Sequence, residues 1–115
     1  MNESQHRYRL RMAAVAKGIP LHCIPGLVDY IVAGQEPGDF LLAVLEGRLF
    51  DAVDRADDEN VHALACYARF LFNDCPAGCF RSRQRVDAWI QGGGLKGRLV
   101  PMKTTASDQP SSAPN

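Results

Sequence analysis

The sequence has no long apolar run. Its longest, Phe40 to Leu45, falls far short of the roughly 20 residues that span a bilayer. Strand signals are lacking too: apart from the short Arg98-Leu99-Val100, apolar and polar residues do not alternate between hairpin turns, and no repeat recurs. Net charge is zero, with 13 basic and 13 acidic side chains, so the chain has no overall basic field to hold nucleic acid. An export signal is also wanting. The Arg-rich start leads into Met12-Ala13-Ala14-Val15-Ala16, an apolar stretch too short for a secretory leader. Four cysteines in such a chain are expected to be reduced thiols, and the expected location is cytoplasmic.

What is present suits one globular core. The chain has 115 residues, the size of a single domain, and 46% of them are apolar. The charges are segregated along it. Residues 1–17 carry Arg7, Arg9, Arg11 and Lys17 against Glu3 alone. Residues 29–59 carry nine acids against Arg48 and Arg55, and residues 69–103 carry seven bases against Asp74 and Asp87. Such separation can steer charged partners or let the protein pair head to tail with itself.

Helical spacing dominates from residue 24 onward. Pro25 fits a first helical turn, Leu27, Val28, Tyr30 and Ile31 supply one face, and Gly34 fits the stop, which predicts a helix over 24–33. Asp39 is a candidate N-cap for a second helix with Phe40, Leu41, Val44 and Leu45, stopped by Gly47. A short third helix follows, with Leu49, Ala52, Val53 and Ala56 on one face. Asp57 or Asp58 would cap a fourth over about 59–73, whose stripe Val61, Leu64, Ala65, Ala68, Leu71 and Phe72 is expected to form the core. Ser82 would cap a last helix with Val86, Trp89 and Ile90, ended by Gly92-Gly93-Gly94. The expectation is therefore an all-α fold, a compact bundle of four to five short helices over 19–95. A flexible basic arm (1–18) would precede it, and a polar tail (96–115), disordered from about 103, would follow.

Candidate sites are few, and each has a plainer explanation. His62, Cys66, Cys75 and Cys79 form a weak tetrahedral zinc set, because the spacing lacks two tight pairs and a cysteine is also a common buried apolar residue. His6, His22 and His62 accompany no serine or cysteine in an activated setting, and His22 beside Cys23 is adjacency in sequence alone. Asp54, Asp57, Asp58, Glu59 and Asn60 lack the alternating ligands, central glycine and distal glutamate of a calcium loop, so helix capping accounts for them. No cofactor motif is found, and no catalytic residue is assigned.

Two surfaces remain. Glu46, Asp51, Asp54 and Asp58 offer an acidic face that could dock a protein, which makes a non-enzymatic binding module the leading expectation. Alternatively, Arg81, Arg83 and Arg85 at the head of the last helix could contact phosphate, with that helix and the one before it acting as a helix-turn-helix-like pair.

Across residues 24–90, the Gly-ended first helix, the Pro37-Gly38 step, the Phe40-to-Leu45 run, the short helix ending Ala56-Asp57, the Asn60-started helix with Phe70 to Asn73, and the Trp89 helix together resemble small helical proteins of bacteriophages and prophages. The resemblance implies a phage-type cytoplasmic protein, such as a modulator of a host protein. It brings no activity and no functional residues.

Overall fold

The computed structural model describes residues 1–99, and these form eight α-helices and two 3-10 turns with no strand. The all-α expectation holds, but the helices outnumber the four to five expected. They are α1 (Glu3–Ala16), α2 (Ile24–Ala33), α3 (Asp39–Glu46), α4 (Leu49–Arg55), α5 (Asp58–Val61), α6 (Leu64–Asp74), α7 (Arg83–Gln91) and α8 (Gly94–Leu99). The tail expected from about 103 lies outside the described residues.

The first correction concerns the N-terminus, where a helix replaces the flexible arm. Asn2 and Gln5 make a reciprocal capping box, each side chain accepting the other's backbone N–H at 2.8–2.9 Å. Leu10 and Ala14 turn inward and are fully buried, packed toward α2 and α6. The basic residues pin the outer side: Arg7 donates to Asp29 at 2.7 Å, Lys17 to the Asp74 carboxylate at 2.9 Å, and Arg9 to the Asp74 carbonyl at 3.1 Å. With only two fully buried residues, α1 has too sparse an apolar stripe to announce itself by periodicity.

Helix α2 is the centre of the molecule. Its mean composition is strongly apolar, and Ile24, Leu27, Val28, Tyr30, Ile31 and Val32 are all buried. Such an all-round apolar helix needs neighbours on several sides, and α1, α7 and α8 supply them. Buried polar groups there are satisfied: the Tyr30 hydroxyl donates to the Cys79 carbonyl at 2.6 Å, and Trp89 Nε1 donates to the Ile31 carbonyl at 3.1 Å. Burial pushes the Tyr30 hydroxyl pKa up, so it stays a neutral donor.

A second correction concerns the last glycines. Gly92 closes α7 as expected, but the chain re-enters a helix at Gly94 instead of losing structure. Gly94 has φ +66°, and a Cβ there would stand 2.7 Å from the Gly34 nitrogen and the Ile31 carbonyl oxygen. Only glycine lets α8 approach the end of α2 so closely. The guanidinium of Arg98 then lies over the Trp89 ring at 4.0 Å, which anchors the far end of α8.

The third correction concerns the expected fourth helix, which is divided. Asp57 does act as an N-cap, accepting from the Asn60 N–H at 2.7 Å, but it caps the four-residue α5. His62 and Ala63 break the path before α6 begins. The buried side of α6 is also rotated from the expected stripe. Tyr67, Phe70 and Leu71 face inward, whereas Leu64 is half-buried and Ala65, Ala68 and Phe72 are exposed.

Candidate functional site

The rotation of α6 leaves an unusual surface. Its displaced apolar side, Leu64, Ala68, Leu71 and Phe72, forms one wall of an open groove of about 460 Å³. Leu49 and Ala52 of α4 form the other wall, and Ala43, Val44 and Gly47 form the floor. Among its helix neighbours α4 packs chiefly against α3, so much of its apolar side meets water. Leu49 is 61% exposed, Phe50 87%, Val53 44%, and Phe72 across the groove 66%. Single exposed apolar residues are ordinary, but Leu49 and Phe72 both lie largely in water while lining one apolar groove.

Arg81 closes one end. Its guanidinium lies 5.0 Å from the centroid of Phe72 and 5.8 Å from that of Phe80, and these two rings meet edge to face. The backbone there has φ +104°, rare for a residue with a side chain, and its N–H donates to the Leu45 carbonyl at 2.7 Å. That bond fixes the segment between α6 and α7 onto α3, so the groove wall is held by backbone as well as by side chains.

The acidic face expected from the sequence is only partly available. Glu46 is paired with Arg48 at 2.8 Å and its side chain is 9% exposed. Asp51 is gripped by Arg48 at 2.5 Å and faces Arg55 at 3.5 Å, and hydrogen bonding from Arg48 holds its carboxyl below the usual carboxylate range. Asp54 and Asp58 have no ion-pair partner among the described residues. The free acidity therefore sits on the outer side of α4 and on α5.

The three arginines proposed for phosphate contact are each engaged within the chain. Arg81 stacks on Phe72 and Phe80, Arg83 lies 3.9 Å from Asp87, and Arg85 donates to the Ala77 carbonyl at 3.2 Å. Nor are α6 and α7 set as a helix-turn-helix-like pair: α6 packs chiefly on α1, and α7 on α3, α2 and α8. Arg81 and Arg83 also line a second cleft of about 740 Å³, where Arg48 joins them against Glu36, Glu46 and Asp87. Its charges match one another.

The weak metal set is not brought together. Among the described residues no three His, Cys, Asp or Glu side chains stand close enough to hold a metal ion. His62 is exposed at the α5–α6 break, and Cys66 lies on α6 beside Gly18. Cys75 and Cys79 do meet: a hydrogen bond between them, together with burial, pushes the Cys75 thiol up, which makes it a poor nucleophile.

One cluster was missed by sequence reasoning. Buried Asn60 accepts from the Tyr67 hydroxyl at 2.7 Å, and its amide reaches the Cys23 sulfur at 3.3 Å. His22, next along the chain, faces Asp57 at 3.0 Å and Glu59 at 3.5 Å. Both ring nitrogens thus point at carboxylates, while the thiol of Cys23 is turned to Asn60. The neighbours His22 and Cys23 serve two separate networks, so this cluster ties the turn at Leu21–Cys23 to α5 and α6 and is not a nucleophile with its base. The only advance sign was an asparagine at a position where a helix would otherwise place an apolar residue.

Among the described residues no helix is long and apolar enough to cross a membrane. Comparison with protein-family models, with curated proteins and with solved structures finds no match to this chain.

Proposed function

We propose that this chain is a non-enzymatic interaction module that holds another polypeptide in the groove between α4 and α6. The supporting observation is the placing of Leu49 and Phe72, both largely exposed, along one apolar groove. An exposed apolar patch is the usual mark of a docking surface, and Phe72 in its wall can act as an anchor that a partner desolvates. Asp54 and Asp58, exposed and without an ion-pair partner on α4 and α5, would steer that partner's approach, since surface charges govern encounter more than affinity. A phage-encoded modulator acting on a host protein is the wider form of this reading. Phosphate contact by Arg81, Arg83 and Arg85 is less favoured, because each already contacts the chain itself.

Photo-crosslinking tests the proposal. Replacing Leu49 by benzoylphenylalanine in cells should yield a discrete protein adduct, and the adduct should vanish when Phe72→Glu is added. The same group at Tyr8, exposed on α1 outside the groove, should give none. Equal labelling from positions 49 and 8, or no adduct at 49, would overturn it.

A further inference from the structure

We infer that Cys75 and Cys79 are a reversible redox site, at which oxidation by a small-molecule disulfide joins them in an intrachain disulfide that locks the turn between α6 and α7. The inference stands apart from whatever polypeptide the groove holds.

Three observations carry it. The first is the placing of the pair. The chain turns back at Pro76-Ala77-Gly78, where the Cys79 N–H donates to the Pro76 carbonyl at 3.1 Å, and the two thiols meet across that turn in a hydrogen bond. Sulfurs already in contact need side-chain rotation to bond, with no rearrangement of the backbone. The second is access. Cys79 is fully buried and its carbonyl is held by the Tyr30 hydroxyl at 2.6 Å, whereas Cys75, at the end of α6, is partly exposed. A dissolved oxidant therefore meets Cys75 first, and Cys79 stands behind it as the second thiol. The third is the setting of the other two cysteines. The Cys23 sulfur is engaged by the Asn60 amide and Cys66 lies against Gly18, and among the described residues no further cysteine or histidine joins the pair closely enough to make a metal centre. The pair is left with the chemistry of a dithiol.

The Cys75 thiol gives up its proton and attacks one sulfur of the small disulfide, whose S–S bond breaks and releases one small thiol. The Cys79 sulfur then attacks the Cys75 sulfur, the mixed disulfide breaks, and the second small thiol leaves with the Cys79 proton. The protein has lost two hydrogens with their electrons, and the small disulfide has gained them. The hydrogen bond with Cys79, together with burial, keeps the proton on Cys75, so the first attack is slow. The turn joins Leu71 and Phe72 in the groove wall to Phe80 and Arg81 at its end, and the bridge fixes these two parts to each other.

Equilibration of the full chain with glutathione disulfide, followed by alkylation of the remaining thiols and tryptic mapping, is the test. Cleavage after Arg69 and Arg81 leaves both cysteines in the peptide 70–81, which should lose two hydrogens and escape alkylation, while Cys23 and Cys66 are alkylated. Dithiothreitol should reverse the change. The bridged chain should keep the circular dichroism of the reduced one, and its unfolding constant in urea should be at least about tenfold lower, because the cross-link restricts the unfolded chain. Cys79→Ser should stop the reaction after the first step, with glutathione held on Cys75, and Cys75→Ser should leave buried Cys79 unmodified. If Cys79→Ser does not fold, the wild type and Cys75→Ser still decide the matter. Alkylation of both thiols in 70–81 after equilibration, a bridge that includes Cys23 or Cys66, glutathione on Cys79 in Cys75→Ser, or a bridged chain with lost helical signal or an unchanged unfolding constant overturns the inference.

Discussion

Phe70 and Phe72 differ by two positions on α6 and should differ several-fold in what they contribute to stability. Phe70 is fully buried and Phe72 is 66% exposed. A phenylalanine removes about 200 Å² from water when fully buried, worth up to about 5 kcal/mol at 25 cal/mol per Å², and truncations at such sites cost about 3–5 kcal/mol once the residual cavity is counted. Phe72 buries about a third of that area, which gives about 1.7 kcal/mol before its edge contact with Phe80 is counted. A domain near 100 residues has about 5–15 kcal/mol in total, so Phe70→Ala should remove a large part of it and Phe72→Ala little. Urea unfolding of both variants, followed by circular dichroism, measures this. The midpoints should separate clearly at an unchanged slope, with Phe70→Ala lower. Equal losses, or a larger loss for Phe72→Ala, would mean that α6 is seated as its hydrophobic stripe suggested and that the groove wall is in truth core.

Three other perturbations follow from the fold. Tyr67→Phe removes the donor to buried Asn60 and should cost about 1–2 kcal/mol in the same urea assay, because the amide oxygen is left with only a thiol. Gly94→Ala should destabilise by at least about 2 kcal/mol on thermal unfolding, since it combines an unfavourable φ with a clash against the backbone of α2. The Asn60 N–H first, and His22 second, hold the Asp57 carboxyl below its ordinary value. Its stabilising effect is therefore present above the unfolded pKa and lost as pH falls through the folded one. Asp57→Ala should flatten the acid limb of a stability-versus-pH curve below about pH 4 and leave its alkaline limb unchanged.

Local chemistry made several elements readable. Pro25 and Gly34 bracket α2, Gly47 ends α3 in the left-handed region, and the Ser82 side chain caps α7 through the Arg85 N–H. In α3 the cap is Gly38, with Asp39 one place inside the helix, a shift of a single residue. The errors have a common physical cause, which is that the deciding contacts are not periodic. α1 is held by ion pairs and two small contacts, and α8 by the close approach of glycine backbone. α6 carries apolar groups on two sides: Tyr67 and Phe70 on one, and Leu64, Ala68 and Phe72 on the other. Periodicity alone favoured the second set, because tyrosine ranks low as a core residue until its hydroxyl has a partner, and Asn60 supplies one. The same misjudged stripe is the candidate site. The apolar residues Leu49 and Phe72 were visible in the sequence, but their meeting along one groove was not, since it depends on how α6 is seated after the break at His62-Ala63.

Carbene footprinting at Leu49 and Phe72, with Tyr8 as an internal standard, tests most directly whether α4 and α6 leave an apolar groove open to solvent. In dilute solution both groove residues should label as heavily as Tyr8. Leu49 and Phe72 protected in the dilute protein while Tyr8 labels would contradict the groove.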